Sequence, residues 1–128
     1  MDLWAILSWV GRIGFAAFFI SSGVNHIRNR SALTGYAQSK GVPAAGLGVP
    51  VSGVMLIAGG AMILFSWHAI IGAALLVLFL LPAAFMIHNY WTESDPMSRA
   101  NQAAHFGKNI TLTAAAVLVA VAHHRGAV

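Results

Sequence analysis

Two adjoining segments, Val49–Trp67 and Ala69–Ile87, each run 19 residues without a charged side chain. As helices each rises roughly 29 Å, close to the roughly 30 Å hydrocarbon core of a bilayer. The chain is 128 residues long, 59% hydrophobic and only 8% charged. Soluble domains are nearer 25% charged, and a soluble domain this small could not bury that much apolar surface. The pair therefore predicts an antiparallel transmembrane hairpin. It turns at Ser66-Trp67-His68, and Trp67 suits an anchor at the membrane interface.

Two further spans complete the pattern. Leu3 to about Asn25 is apolar except for Arg12. A cleaved leader is the competing reading, but Arg12 would interrupt its apolar region and no small-x-small cleavage site follows. At the other end, Asn109–Ala122 gives 14 uncharged residues. It reaches spanning length if its helix starts near Ala103 and Lys108 snorkels toward the headgroups. The expected fold is an all-α integral membrane four-helix bundle with antiparallel up-down topology. It forms one domain over residues 1–128, with helices near 3–25, 49–67, 69–91 and 103–122. A short interfacial helix is expected around Ser31–Ser39, and turns at Gly41, Pro43 and Asp95-Pro96.

Four spans place both termini on one side and both long loops on the other. The loop side holds Arg28, Arg30, Lys40, Arg99 and the edge residue Lys108. The positive-inside rule then puts the loops in the cytoplasm and the termini outside a multi-pass cell-membrane protein.

The chain has no cysteine. Disulfides, thiolate-bound zinc and iron–sulfur clusters are thereby excluded. The net charge is +4, yet the basic residues are scattered, with no basic stripe or stacking platform for nucleic acid. Contact with anionic lipid is the simpler reading.

Topology also gathers polar residues. The first helix exits toward the loops near His26, the third near His88 and Trp91, and the fourth enters near Lys108 and Asn109. Ser8, Arg12, Phe19, Gly23 and His26 fall within about 60° of one another on the first helix. A charged group facing lipid is disfavoured, so this stripe faces the interior or water. His26 and His88 suit proton transfer or a polar ligand contact. Haem ligation is disfavoured because both lie at the membrane edge without a further haem signature, and no metal site is expected. Arg12 reads as an anion partner or a snorkelling arginine, and Trp91 as a ligand-stacking ring or a belt residue. Asp95 reads as an acid or base, or as an ion-pair partner of Lys108.

Several short motifs occur together in one order: Ser22-Gly23 with His26, Lys40-Gly41-Val42-Pro43, Gly59-Gly60, Met86-Ile87-His88-Asn89-Tyr90-Trp91, Asp95-Pro96 and Phe106-Gly107-Lys108-Asn109. In this order the chain resembles the DoxX family from Arg12 to about Ala122. Tyr90 stands where many relatives carry Phe. The resemblance implies a small four-helix membrane protein associated with quinone-linked redox systems. It further implies, for some members, partnership with soluble redox or oxidative-stress enzymes.

The leading expectation is an accessory subunit of a quinone-linked membrane redox system, with a polar pocket at the loop end. In it His26 and His88 move protons, while Arg12, Ser22, Trp91, Asp95, Lys108 and Asn109 contact the ligand. No intrinsic cofactor is expected, quinone being a substrate or ligand. Two alternatives stay open: a non-catalytic anchor for a soluble redox enzyme, and a small-solute transporter or homo-oligomeric pore.

Overall fold

A computed structural model describes residues 1–127. Its helices are α1 (Leu3–Arg28), α2 (Arg30–Ser39), α3 (Ala45–Leu64), α4 (Ala69–Met86) and α5 (Pro96–His124), with a 3₁₀ turn at Tyr90–Thr92. Four of them, α1, α3, α4 and α5, are long and apolar enough to cross a membrane. The protein is an all-α membrane bundle, and α2 is the short helix expected in the first loop.

Local chemistry sets the helix ends. Asp2 caps α1 by accepting the Ala5 amide at 2.8 Å, a role that suits aspartate. The end of α2 is closed by Gly41 at φ 76°. There the Gly41 and Val42 amides donate to Gln38 and Ala37, the paired bonds of a Schellman cap. The same pair closes α3, where Ser66 and Trp67 donate to Ile63 and Met62. Here the left-handed residue is Ser66, at φ 51°, and His68 follows at φ 49°. The α3–α4 turn is thus strained, since a side chain in this region costs about 1–2 kcal/mol.

The first and second spans differ from the sequence reading by about a turn or less at each end, with α1 reaching Arg28 and α3 starting at Ala45; two other boundaries differ more. The fourth span begins at Pro96, not near 103, because Asp95-Pro96 is a helix start. Asp95 accepts the Ser98 amide at 2.8 Å and Pro96 takes the first helical position, where its missing N–H costs nothing. The third span runs Ala69–Thr92, but its regular helix stops at Met86. The Ile87 and His88 amides both turn onto the Ala83 carbonyl, and the chain leaves the helix before His88.

Packing runs in series: α1 on α3, α3 on α4, α4 on α5, with α2 laid over the start of α3. Two glycine pairs set the closest crossings. A Cβ on Gly23 would lie 2.5 Å from the Gly53 carbonyl oxygen, and one on Gly59 would lie 2.8 Å from that of Gly72. Only glycine permits such backbone approach. Phe19, Leu56, Ile63, Leu76 and Leu80 fill the centre. Val10, Val54, Leu78 and Val117 face outward and exposed, as suits a bundle whose solvent is lipid.

No comparable packed interface joins α1 to α5. Phe15 and Phe19 bridge the middle of that gap, sharing one cluster with Leu112, Ala116 and Val119. On either side of the bridge the seam opens.

Candidate functional site

The loop-side opening is a cavity of about 120 Å³. Ser22, His26, His88, Lys108 and Asn109 form its polar wall. Phe18, Phe19, Leu56, Phe79 and Leu80 form the rest. Five of the eight residues singled out from sequence therefore meet in one place, from α1, α5 and the segment after α4.

His26 is held by a fixed hydrogen-bond chain. Its Nδ1 lies 2.8 Å from Ser52 Oγ, which itself donates to the Val49 carbonyl at 2.7 Å. A hydroxyl has one proton to give. Ser52 spends it on Val49, so Nδ1 donates to Ser52 and the neutral ring keeps Nε2 as a free acceptor. Phe79 meets the ring edge-on at 5.2 Å. The Gly23–Gly53 crossing is what brings Ser52 within reach.

His88 is held in the same manner. Its Nδ1 lies 2.8 Å from Gln102 Oε1, and Gln102 Nε2 donates to the Tyr36 hydroxyl at 3.1 Å. An amide oxygen only accepts, so His88 donates through Nδ1 and also retains Nε2. The His105 ring stacks on it at 5.0 Å.

The two α5 residues add donors. Lys108 Nζ lies 5.5 Å from the Phe18 ring centroid and, among the described residues, pairs with no carboxylate. Asn109 is 4% exposed, the one buried polar residue in the bundle's described part. Its backbone carbonyl accepts Thr113 Oγ1 at 2.8 Å. Its side-chain amide has no hydrogen bond among the described residues. The amide is not sealed off but opens on the cavity; the side-chain atom buried without a partner among the described residues is His123 Nδ1.

Three sequence candidates lie elsewhere. Arg12 is 14 residues before His26, roughly 21 Å along α1. Its Nη1 donates to the Leu64 carbonyl at 3.2 Å and Ser66 Oγ at 2.7 Å, and Nε donates to Ser8 at 3.4 Å. The guanidinium carbon sits 4.2 Å from the Trp9 ring centroid. Arg12 thus ties down the strained α3–α4 turn, at the end of a helix where a cation is favoured. Trp91 packs against Phe85 and Phe106, outside the cavity.

Asp95 is the exposed α5 cap and makes no ion pair with Lys108. The Ser98 amide and hydroxyl hold its carboxyl below the usual aspartate range. The loops are joined instead by Lys40 and Glu93 at 3.0 Å, with Lys40 also donating to Asn89 at 3.4 Å.

Ser52, Gln102 and Tyr36 were missed by sequence reasoning. Ser52 did leave a signal, being a lone hydroxyl in the first half of an uncharged span. The other two join only through tertiary contact.

The second opening lies beyond the Phe15–Phe19 bridge, toward the termini. It is a groove of about 390 Å³ lined by Leu7, Gly11, Arg12, Phe15, Leu118 and Val119, among others.

Residues 7–89 match the DoxX family. That stretch holds Arg12, Ser22, His26, Lys40 and His88 and ends before Trp91, Asp95, Lys108 and Asn109. No curated protein and no solved structure matches the chain.

Proposed function

The chain belongs to the DoxX family, and from that premise we propose that it binds the head of a membrane-soluble quinone or quinol at the loop end of the bundle. The reading is carried by Asn109, a nearly buried residue whose side-chain amide has no hydrogen bond among the described residues and opens on a cavity flanked by two histidines. Both rings are pinned through Nδ1, so each offers Nε2 to a ligand. Asn109 and Lys108 supply N–H donors for a carbonyl oxygen, and the imidazoles accept from a hydroxyl. Aromatic walls suit a flat ring.

On quinol oxidation, two protons pass from the ring hydroxyls to the Nε2 atoms of His26 and His88. Imidazole suits this role near neutral pH. The two electrons leave to a partner enzyme, since no redox-active group of this chain would take them. Arg28, Arg30 and Arg99 are exposed on the loop side and form the surface on which that partner docks. The loops face the cytoplasm in this reading.

Isothermal titration calorimetry of purified protein in detergent micelles tests it, using a benzoquinone and its quinol with only methyl substituents. Wild-type protein and Val54→Ala, altered on the lipid face, give saturable binding of both. Asn109→Leu and His88→Phe lose it. Equal binding by all four proteins, or none by wild type, would overturn the proposal.

A further inference from the structure

We infer that the two openings of the α1–α5 seam are one site for a single amphiphile, head in the loop-end cavity and hydrocarbon chain in the groove toward the termini. This rests on the head-binding reading above and extends it to the rest of the molecule.

The register of both helices supports the join. Phe15, Ser22 and His26 on α1 step by seven and four residues, and Ser8 precedes Phe15 by another seven, so one face runs past both openings. On α5, Lys108 beside the cavity and Val119 and Ala122 beside the groove fall within about 60° of one another. The gap between the helices is therefore one line, pinched where the Phe15 and Phe19 rings stand 4.9 Å apart. The chain passes this pinch on its bilayer side.

Size points the same way. Small-molecule sites run about 300–1,000 Å³. The cavity, at about 120 Å³, holds a head but little more, whereas the groove holds about 390 Å³. Phe15 is about 16 Å from His26 along α1, and Ser8 about 27 Å, so a long chain attached to the head ends inside the groove.

The groove's chemistry selects hydrocarbon. Its one charged group, Arg12, has given Nε to Ser8 and Nη1 to Leu64 and Ser66, leaving only its Nη2 donors uncommitted. Leu7, Phe15, Leu118 and Val119 otherwise supply the wall. A second polar head finds little there to bind.

Photolabelling of the full chain in dioleoylphosphatidylcholine nanodiscs provides the test. The probe is a benzoquinone bearing an octadecyl chain with a diazirine at its far end. Labelled residues are read by mass spectrometry. We expect at least about tenfold more label on Phe15 and Val119, half-buried in the groove, than on Val54 and Leu78, which face lipid elsewhere. Excess chain-free methyl benzoquinone suppresses that label, because it competes for the head site alone.

Gly11→Leu fills the groove from α1, where an added Cβ meets nothing within 4 Å. It abolishes groove labelling but leaves calorimetric binding of the methyl compound unchanged. Even label across all four positions overturns the inference while the head site survives. So does groove label that the methyl compound fails to suppress, which marks bulk lipid. Because the chain lacks cysteine, Leu118→Cys gives a clean test for a second copy in the groove. Quantitative disulfide dimers would overturn the inference. Absent calorimetric binding of the methyl compound removes the head-binding reading, and this one with it.

Discussion

Asn109→Leu separates a site built for a ligand from a polar residue kept for stability. Asn109 is 4% exposed and its amide has no side-chain hydrogen bond, so within the chain the amide faces only the cavity. Leaving a polar group fully buried and unpaired costs about 1–3 kcal/mol, an upper bound for an amide that opens on a cavity. Leucine is close in size, removes that cost and raises helix propensity by up to about 0.7 kcal/mol. The Thr113-to-Asn109 bond uses the backbone carbonyl and survives the change. The variant is therefore expected to be more stable than wild type without ligand, by up to about 3 kcal/mol, or at most roughly 150-fold in the unfolding constant. Asn109→Ala also removes the amide but leaves a void, and is expected to lose most of that gain. Equilibrium unfolding in dodecyl maltoside with increasing dodecyl sulfate, followed by far-ultraviolet circular dichroism, measures both. A leucine variant as unstable as the alanine variant would refute the reasoning, because the amide would then have a structural partner. A stabilised variant that loses quinone binding is the outcome expected of a functional residue held at a cost in stability.

Three other outcomes follow from the same geometry. Gly23→Ala sets a methyl 2.5 Å from the Gly53 carbonyl oxygen and is expected to cost about 1–3 kcal/mol by overpacking. Gly14→Ala meets nothing, so equal loss in the two variants on dodecyl sulfate unfolding would sink the crossing argument. Arg12→Met leaves the Leu64 carbonyl and Ser66 hydroxyl without their charged donor and is expected to cost about 1.5–3 kcal/mol. Arg12→Lys restores only part of it, since an ammonium lacks the planar fork; full rescue by lysine in the same titration would contradict this. Asp95 holds its cap as a carboxylate with a lowered pKa, so the cap is complete above the ordinary aspartate value. It is lost as pH falls through the lower folded value. The Ser98 amide resonance, followed by nuclear magnetic resonance through an acid titration, should move only below that ordinary value, and movement at or above it refutes the assignment.

The sequence by itself determined the solvent and the thread. Uncharged runs such as Ala69–Ile87 admit only a bilayer, and four of them force alternate crossings that bring His26, His88 and Asn109 to one end. Periodicity and composition suffice there because the bilayer imposes a single rule on every span. Helix limits were less legible. Asp95-Pro96 reads equally as a turn or a helix start, and only the Ser98 amide at 2.8 Å decides between them.

Tertiary structure alone decided which polar groups are spent and which are free. Leu64 and Ser66, more than 50 residues away in the chain, take the Nη1 donors of Arg12, well away from the loop-end cavity. Lys40 paired with Glu93, leaving Asp95 to its cap and Lys108 to the cavity rim. Such partnerships depend on where Gly23 meets Gly53 and Gly59 meets Gly72, because those contacts fix the relative heights of the helices. A linear pattern gives each helix its face, but the height at which one helix meets another is set by packing.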